Sequence, residues 1–307
     1  MKIVAAAVML LCAPLVLSQT AGNDRPRRDP GAITKYDPVA ELARVRGEMS
    51  SPVDPFKVVG NVYYVGASGI SSYLIVTSAG LILVDTGSIT MADSIPASIK
   101  KLGFDPANLK YILSTHAHFD HVEGHAKIVK ATGAKVVALG ADADALAKGV
   151  DNSALGFLGW EPVKVDRVIK DGATVELGGA TMRAMALPGH TPGGTSWFTQ
   201  VTDGGRTYNV MFFVSLTPNA GIDIVNNPRH PNVIQDTARS IQKVHALVKP
   251  DIVLLGHPDR EFLVKGVKAA AGEHVDFTIS EAAWADLIKS QRFYDQLYSQ
   301  THAKPSK

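Results

Sequence analysis

Short apolar runs, most of them rich in Val, Ile and Leu, recur along the chain and are separated by stretches rich in Gly, Pro and Asp. Runs of this length and composition are typical of buried or half-buried strands. In the first half they predict strands at 58–65, 72–77, 81–84, 109–113 and 136–138. In the second half they predict strands at 175–177, 181–186, 196–200, 210–214 and 252–255.

Helical periodicity appears between these runs. It predicts helices over 39–49, 95–102, a segment after His125, about 231–248 and about 280–299. The last of these has apolar residues at i, i+3 and i+4 spacing, which indicates a core-facing stripe. Strands mixed with helices in both halves favour an α/β fold in which helices cover two stacked sheets.

The composition is that of a globular protein. The chain has 307 residues, of which 46% are hydrophobic and 20% charged, so it is long enough to bury a large core. Its net charge is only +2, which implies no general attraction to nucleic acid. We therefore expect no nucleic-acid partner.

The first residues have the pattern of an export signal. An apolar stretch over 3–17 is broken by Pro14 and is short for a membrane span, which needs about 20 residues. Small residues at Val16 and Ser18 predict cleavage after Ser18. We expect a signal peptide at 1–18, a leader with a short helix at 19–54 and a single domain at 55–307. The mature protein would be periplasmic or secreted, with no membrane association.

The densest cluster of chemically active side chains lies at 116–121. His116, His118, Asp120 and His121 fall within six positions, directly after an apolar run. Packing does not explain such a run, because each buried imidazole or carboxylate would need its own partner. In an extended segment His116 and His118 project to the same side, and a turn at Phe119 would let the next two face a second ion. The alternative is a solvated polar loop.

Two further histidines follow apolar runs in the same way. His190 lies in a turn-rich stretch at 187–194, and His257 follows the run at 252–255. Loops at strand ends are where binding sites usually occur. Zinc accepts nitrogen and oxygen ligands, and a catalytic zinc keeps one position for water. Three histidines on one ion, and an aspartate with two histidines on another, would each leave that position.

These motifs resemble the metallo-β-lactamase superfamily, and within it the third subclass of zinc β-lactamases. The resemblance extends from about residue 55 to residue 258 and includes segments 55–66, 80–87, 116–121, 189–197 and 256–258. Position by position, it implies a first zinc bound by His116, His118 and His190 and a second bound by Asp120, His121 and His257.

The resemblance also implies a fold and an activity. The fold would be a four-layer αββα sandwich of two mixed sheets, with two Zn²⁺ ions at one edge between them. The activity would be the opening of a β-lactam ring by a metal-bound hydroxide that attacks the amide carbonyl, with Asp120 orienting that hydroxide. Asp85 would support the metal loop from behind as a hydrogen-bond acceptor, although an Asx turn also explains it. The partner would be a small-molecule substrate, the β-lactam, and we expect a monomer.

Three further residues are expected to contact the substrate. Ser215 and Thr217 would bind its carboxylate, although their hydroxyls could equally satisfy backbone groups near a strand end. Phe157 lies in an apolar, glycine-containing segment at 151–160, which would form a flap over the cleft. Alternatively, the aromatic residues of this segment pack on the body of the domain.

Two other function classes stay open at this stage. One is another dinuclear zinc hydrolase of the same fold, with a lactone, thioester or phosphoester as its substrate. Segment 210–217 disfavours this class. Many such enzymes place a metal-bridging aspartate at this strand, but residues 210–217 contain no carboxylate. The other is a non-catalytic metal-binding or structural protein of the cell envelope.

Overall fold

The computed structural model describes residues 37–156, 158–219, 221–289, 297 and 300–302. These residues form two mixed sheets and eight α-helices. The predicted signal peptide, the first half of the predicted leader and part of the predicted C-terminal helix lie outside the described residues. No described helix has the length and apolar character needed to cross a bilayer.

The first sheet has seven strands in sequential order. Strands β4 to β7 are parallel neighbours, and the first four strands pair antiparallel. Its strands are β1 (Phe56–Val59), β2 (Val62–Tyr64), β3 (Tyr73–Thr77), β4 (Gly80–Val84), β5 (Leu109–Leu113), β6 (Lys135–Leu139) and β7 (Val165–Ile169).

The second sheet has five strands in the order β12-β11-β10-β9-β8. Its strands are β8 (Thr174–Leu177), β9 (Ala180–Ala186), β10 (Thr195–Asp203), β11 (Arg206–Phe213) and β12 (Ile252–Leu255). Only the pair β11 and β12 is parallel among its neighbouring strands.

The helices lie outside the two sheets or in the loops between strands. They are α1 (Pro38–Arg46), α2 (Met91–Lys101), α3 (Phe119–Val122), α4 (His125–Thr132), α5 (Gly140–Lys148), α6 (Val233–His245), α7 (Arg260–Ala270) and α8 (Glu281–Ile288). Short 3₁₀ turns lie at Glu48–Ser50 and Pro106–Asn108.

Strand alternation explains the layering. In β4, Leu81 and Leu83 join the buried cluster that includes helix residues such as Ile95, whereas Ile82 and Val84 join the cluster shared with the second sheet. Alternate side chains of a strand face opposite sides of its sheet, so β4 is buried on both faces. A third cluster packs α6 and α8 against the far face of the second sheet. The predicted αββα sandwich is therefore confirmed.

The structure adds elements that the sequence pattern did not predict. The run at 58–65 is two strands joined by a turn at Gly60, and helices α5 and α7 and strand β7 were not predicted. Strand β7 has an exposed face, with Val168 64% exposed, so it lacks the apolar run that marks the buried strands.

Candidate dinuclear metal site

The predicted ligands lie in the segments that follow strands at one edge of the sandwich, with Asp120 and His121 on the short helix α3. His116 follows β5, and Asp85 follows the parallel neighbour β4. His190 lies between β9 and β10, and His257 follows β12. Because parallel strands end at the same edge of a sheet, residues distant in sequence meet there. Hydrogen bonds join the sheets at this edge. For example, Trp197 Nε1 donates to the Ser114 carbonyl at 3.1 Å, and the Thr195 amide donates to the Thr115 carbonyl at 2.7 Å.

The first group consists of His116, His118 and His190. One nitrogen from each lies within 4.8 Å of the other two. The ring centroids of His118 and His190 are 4.5 Å apart, and those of His116 and His190 are 4.9 Å apart. His116 and His118 are buried. This is the three-histidine set predicted for the first ion.

The second group consists of Asp120, His121 and His257, whose ligand atoms meet the same 4.8 Å limit. The Nε2 atoms of the two histidines are 3.3 Å apart, and Asp120 Oδ2 lies 3.5 Å from His121 Nε2 and 3.4 Å from His257 Nε2. The rings of His116 and His121 have centroids 4.0 Å apart, so the two groups are adjacent.

Each histidine has its other ring nitrogen against a hydrogen-bond partner. His190 Nδ1 donates to the Thr217 carbonyl at 2.6 Å, and His257 Nδ1 donates to the Gly69 carbonyl at 2.8 Å. His118 Nε2 lies 2.9 Å from the hydroxyl of Ser153. Such bonds fix the ring orientation and the tautomer, which leaves the second nitrogen with a lone pair for a metal.

Asp85 serves both groups without being a ligand of either. Its Oδ2 accepts a hydrogen bond from His121 Nδ1 at 3.1 Å and another from the Thr115 hydroxyl at 2.5 Å. That hydroxyl in turn accepts from His116 Nδ1 at 2.9 Å, and Oδ1 accepts from the Thr115 amide at 2.8 Å. Asp85, His116 and His121 also meet the 4.8 Å limit as a group of three.

Burial keeps the first group neutral. It lowers the pKa of His116, lowers that of His118 to about 4 and lowers that of His190 to about 3, with neighbouring histidines adding to the effect on His116 and His190. Burial and His121 also lower the pKa of His257. Neutral imidazole is the form that coordinates a metal.

The electrostatics of the second group differ. Burial would lower the pKa of His121, but the carboxylates of Asp120 and Asp85 outweigh it and raise that pKa. Burial would likewise raise the pKa of Asp120, but His121, His257 and His118 outweigh it and lower that pKa. The carboxylates of Asp120, within the group, and of Asp85, behind it, therefore favour positive charge at His121.

The arrangement fits a bound cation. With protons on Nδ1 of His121 and His257, two Nε2 lone pairs and an Asp120 oxygen face one another with no proton between them. The buried Nε2 of His116 has no hydrogen-bond partner among the described residues. Imidazole and carboxylate donors in sets of three match the ligands of a catalytic zinc.

Of the three residues predicted to contact the substrate, the structure describes two, Ser215 and Thr217. Ser215 and Thr217 follow β11 at the same edge and are half-buried. The structure assigns no hydrogen bond to either hydroxyl within the described residues, whereas the carbonyl of Thr217 accepts from His190. Phe157 lies outside the described residues.

The segment at 151–160, predicted as a flap, contacts the first metal group through Ser153. Ser153 is fully buried against His118, and its amide donates to Asp151 Oδ1 at 2.8 Å. Trp160 is buried and belongs to the core cluster that includes helix α2. The packed alternative therefore holds for Trp160, and only part of the segment is left to act as a flap.

Glu123 and His125 follow directly after α3, the helix that carries Asp120 and His121. Glu123 is buried, pairs with Arg46 of α1 and accepts a hydrogen bond from the Ile89 amide at 2.8 Å. His125 opens α4 fully buried, with Nδ1 2.7 Å from the Thr86 hydroxyl. Burial lowers the pKa of His125 to about 4.

Sequence reasoning missed other residues that hold the ligands, above all Asp142 and Ser153. Asp142 accepts hydrogen bonds from both ligand loops of the first group. In the sequence, Asp142 is marked only as an acidic residue soon after an apolar run. The carbonyls of Gly69 and Thr217 carry no side-chain signal at all.

The fold and site define a metal-dependent hydrolase architecture with two adjacent three-ligand groups. The family model of the metallo-β-lactamase superfamily matches residues 65–203. BJP-1, a subclass B3 metallo-β-lactamase of Bradyrhizobium japonicum, is 37% identical, with a TM-score of 0.76 over 84% of this chain and 98% of that one. Native FEZ-1, a metallo-β-lactamase from Legionella gormanii, is 33% identical, with a TM-score of 0.77 over 83% of this chain and 99% of that one.

The chain belongs to the metallo-β-lactamase superfamily, and its structural neighbours include subclass B3 enzymes, as the sequence motifs predicted. A more local likeness joins it to the hydroxyacylglutathione hydrolase of Hyphomonas neptunium, which is 39% identical over 82 residues. That match covers 27% of this chain and 26% of the relative, so the chain spans about a quarter of that relative's length.

Proposed function

We propose that the protein is a zinc-dependent hydrolase that opens the β-lactam ring of antibiotics, with two Zn²⁺ ions per chain. The observation that carries the proposal is the pair of adjacent ligand groups, one of three histidines and one of Asp120 with two histidines. Likeness to BJP-1 over nearly the whole of that enzyme supports the choice of substrate.

Zinc in both groups would supply Lewis acidity, which polarises an amide carbonyl and lowers the pKa of water toward about 7. The chain's own part is to hold that chemistry in place. His116, His118 and His190 form one side of the site. The Asp120 carboxylate lies beside them and would orient the attacking water. The half-buried hydroxyls of Ser215 and Thr217 would bind the substrate carboxylate, and Phe157 its side group.

The test is hydrolysis of nitrocefin and imipenem by the purified protein. We expect turnover that EDTA abolishes and added zinc restores, with about two zinc ions per chain in the active sample. Metal-loaded protein that turns over neither substrate would refute the proposal. Gel filtration of the same sample tests the expected monomer, and N-terminal sequencing of protein exported by a Gram-negative host tests cleavage after Ser18.

The local likeness to a hydroxyacylglutathione hydrolase favours a second candidate, a thioester hydrolase with the same two metal groups. Against it, the strand end at 213–217 offers Ser215 and no carboxylate to bridge the two groups. Parallel rates on imipenem, a glutathione thioester and an acyl-homoserine lactone distinguish the candidates. We expect imipenem to have the highest kcat/KM.

A further inference from the structure

Asp142 is a fully buried carboxylate in the first turn of α5, outside both ligand groups. Its Oδ2 accepts a hydrogen bond from the Ala117 amide at 2.8 Å and one from the Thr191 hydroxyl at 2.6 Å. Its Oδ1 accepts from the Gly193 amide at 2.7 Å. Hydrogen bonds to a charged acceptor are the stronger kind, so this carboxylate is firmly held by three donors.

The donors belong to the two loops that build the first group. Ala117 lies between His116 and His118, and Thr191 directly follows His190. One carboxylate oxygen therefore contacts both loops at once, beside every ligand of the three-histidine group. A shift of either loop would change the distance between the ligands after β5 and the ligand before β10.

Gly193 indicates that the contact is close. A Cβ atom at this position would lie 2.5 Å from the Asp142 amide nitrogen and 2.6 Å from its Cβ and Cγ atoms. Only glycine lets the loop approach the start of α5 so nearly. Asp142 and Gly193 are thus fitted to each other in both hydrogen bonding and shape.

The second group is held by other contacts. His257 Nδ1 donates to the Gly69 carbonyl, the Ser71 amide donates to the Gly256 carbonyl at 2.9 Å, and His121 Nδ1 is bonded to Asp85. The structure assigns Asp142 no hydrogen bond to any of these residues within the described chain.

We propose that Asp142 is a positioning residue for the first metal group alone: it fixes the spacing of the His116–His118 loop and the His190 loop, so that its loss weakens metal binding there and spares the second group. The inference rests on the two-ion part of the proposed function and is independent of the substrate.

Replacement of Asp142 by asparagine tests this role directly. An asparagine has one acceptor oxygen, and its NH₂ group must face either the Gly193 amide or the Ala117 amide, both of which can only donate. One buried N–H is then unpaired in either orientation, at a cost of about 1–3 kcal/mol. The bonds of Trp197 and Thr195 across the sheets do not involve Asp142, so we expect the fold to persist.

The experiment is a Co²⁺ titration of the metal-stripped full chain, followed by visible absorption and by competition with a chelator. His118→Ala and His257→Ala assign each absorption band to its group. For Asp142→Asn we expect the first group's affinity to fall about 10- to 100-fold, the range typical for residues behind metal ligands, with the second group unchanged. Asp144→Asn is the matched control, because Asp144 is an exposed acid of the same helix, paired with Lys148.

Two milder variants keep the test decisive if Asp142→Asn does not fold. Thr191→Val removes one donor at nearly constant volume and should lower the first group's affinity selectively, while Thr191→Ser keeps the hydroxyl and should restore it. Equal losses in both groups, or no loss in either, would overturn the inference. Wild-type protein that binds two Co²⁺ ions without β-lactam turnover would refute the proposed substrate and leave the inference standing.

Discussion

Replacement of Asp85 by asparagine tests whether one carboxylate supports both metal groups. Asp85 has a backbone φ of +57°, in the left-handed region. Asparagine tolerates this region about as well as aspartate, whereas alanine would add strain. The change to asparagine therefore alters the hydrogen bonding and leaves the backbone preference intact.

The size of the effect follows from the donors that Asp85 satisfies. Its Oδ1 accepts from the Thr115 amide, and its Oδ2 accepts from the Thr115 hydroxyl and from His121 Nδ1. If the asparagine NH₂ group takes the place of Oδ1, it faces an amide that can only donate. If it takes the place of Oδ2, His121 must accept there and carry its proton on Nε2, which removes the lone pair from the metal group. Either arrangement costs about 1–3 kcal/mol.

Both groups should lose metal affinity, by about 10- to 100-fold each. His121 is affected directly, and His116 through the Thr115 hydroxyl that lies between it and Asp85. The assay is the same Co²⁺ titration, with chemical denaturation of the metal-free protein beside it. Asp93→Asn, at an exposed acid paired with Lys127, is the control. A loss confined to the second group would show that the Thr115 link has no effect, and no loss in either would refute the role of Asp85.

Three other predictions concern residues around the site. Alanine at His118 or His190 should reduce turnover and metal content far more than alanine at His125, and equal losses at all three would contradict the ligand assignment. His125 is neutral in the fold with a pKa of about 4, whereas it titrates near pH 6.5 when unfolded. Its contribution to the free energy of unfolding is thus complete above pH 6.5 and falls by about 3 kcal/mol as the pH drops to about 4. Denaturation curves of metal-free wild type and His125→Gln across this range check the slope, which should be shallower in the variant. Glu123→Gln should destabilise the protein by about 1 kcal/mol, since Arg46 is partly exposed, and a double-mutant cycle with Arg46→Ala measures the coupling.

The sequence predicted what depends on short-range pattern. The six proposed ligands lie in three connecting segments, each after an apolar run. The structure brings them together because those runs are strands that end at one edge. Their division into two groups came from resemblance to a family, and the structure reproduces the same division. Helix α6 was also predicted, because its apolar stripe is regular.

What the sequence could not predict depends on contacts between distant segments. Asp142 and Glu123 are charged, so local pattern marks them as exposed, yet both are buried against donors far away in the chain. Backbone acceptors such as the carbonyl of Thr217 cannot be predicted from side-chain identity, because every residue has a carbonyl. Strand β7 has too little apolar character to be recognised before its neighbour β6 is in place.

The two buried acids behind the ligands, Asp85 and Asp142, support the metal groups in different ways. Asp85 contacts one histidine of the second group and, through Thr115, one of the first; Asp142 contacts both loops of the first group and none of the second. A carboxylate without a nearby cation is costly to bury, and burial raises the pKa of Asp142 to about 6. Bound dications would offset this cost for every carboxylate in the site. Metal binding and the stability of this edge of the sandwich are therefore coupled, and the variants at Asp85 and Asp142 separate that coupling group by group.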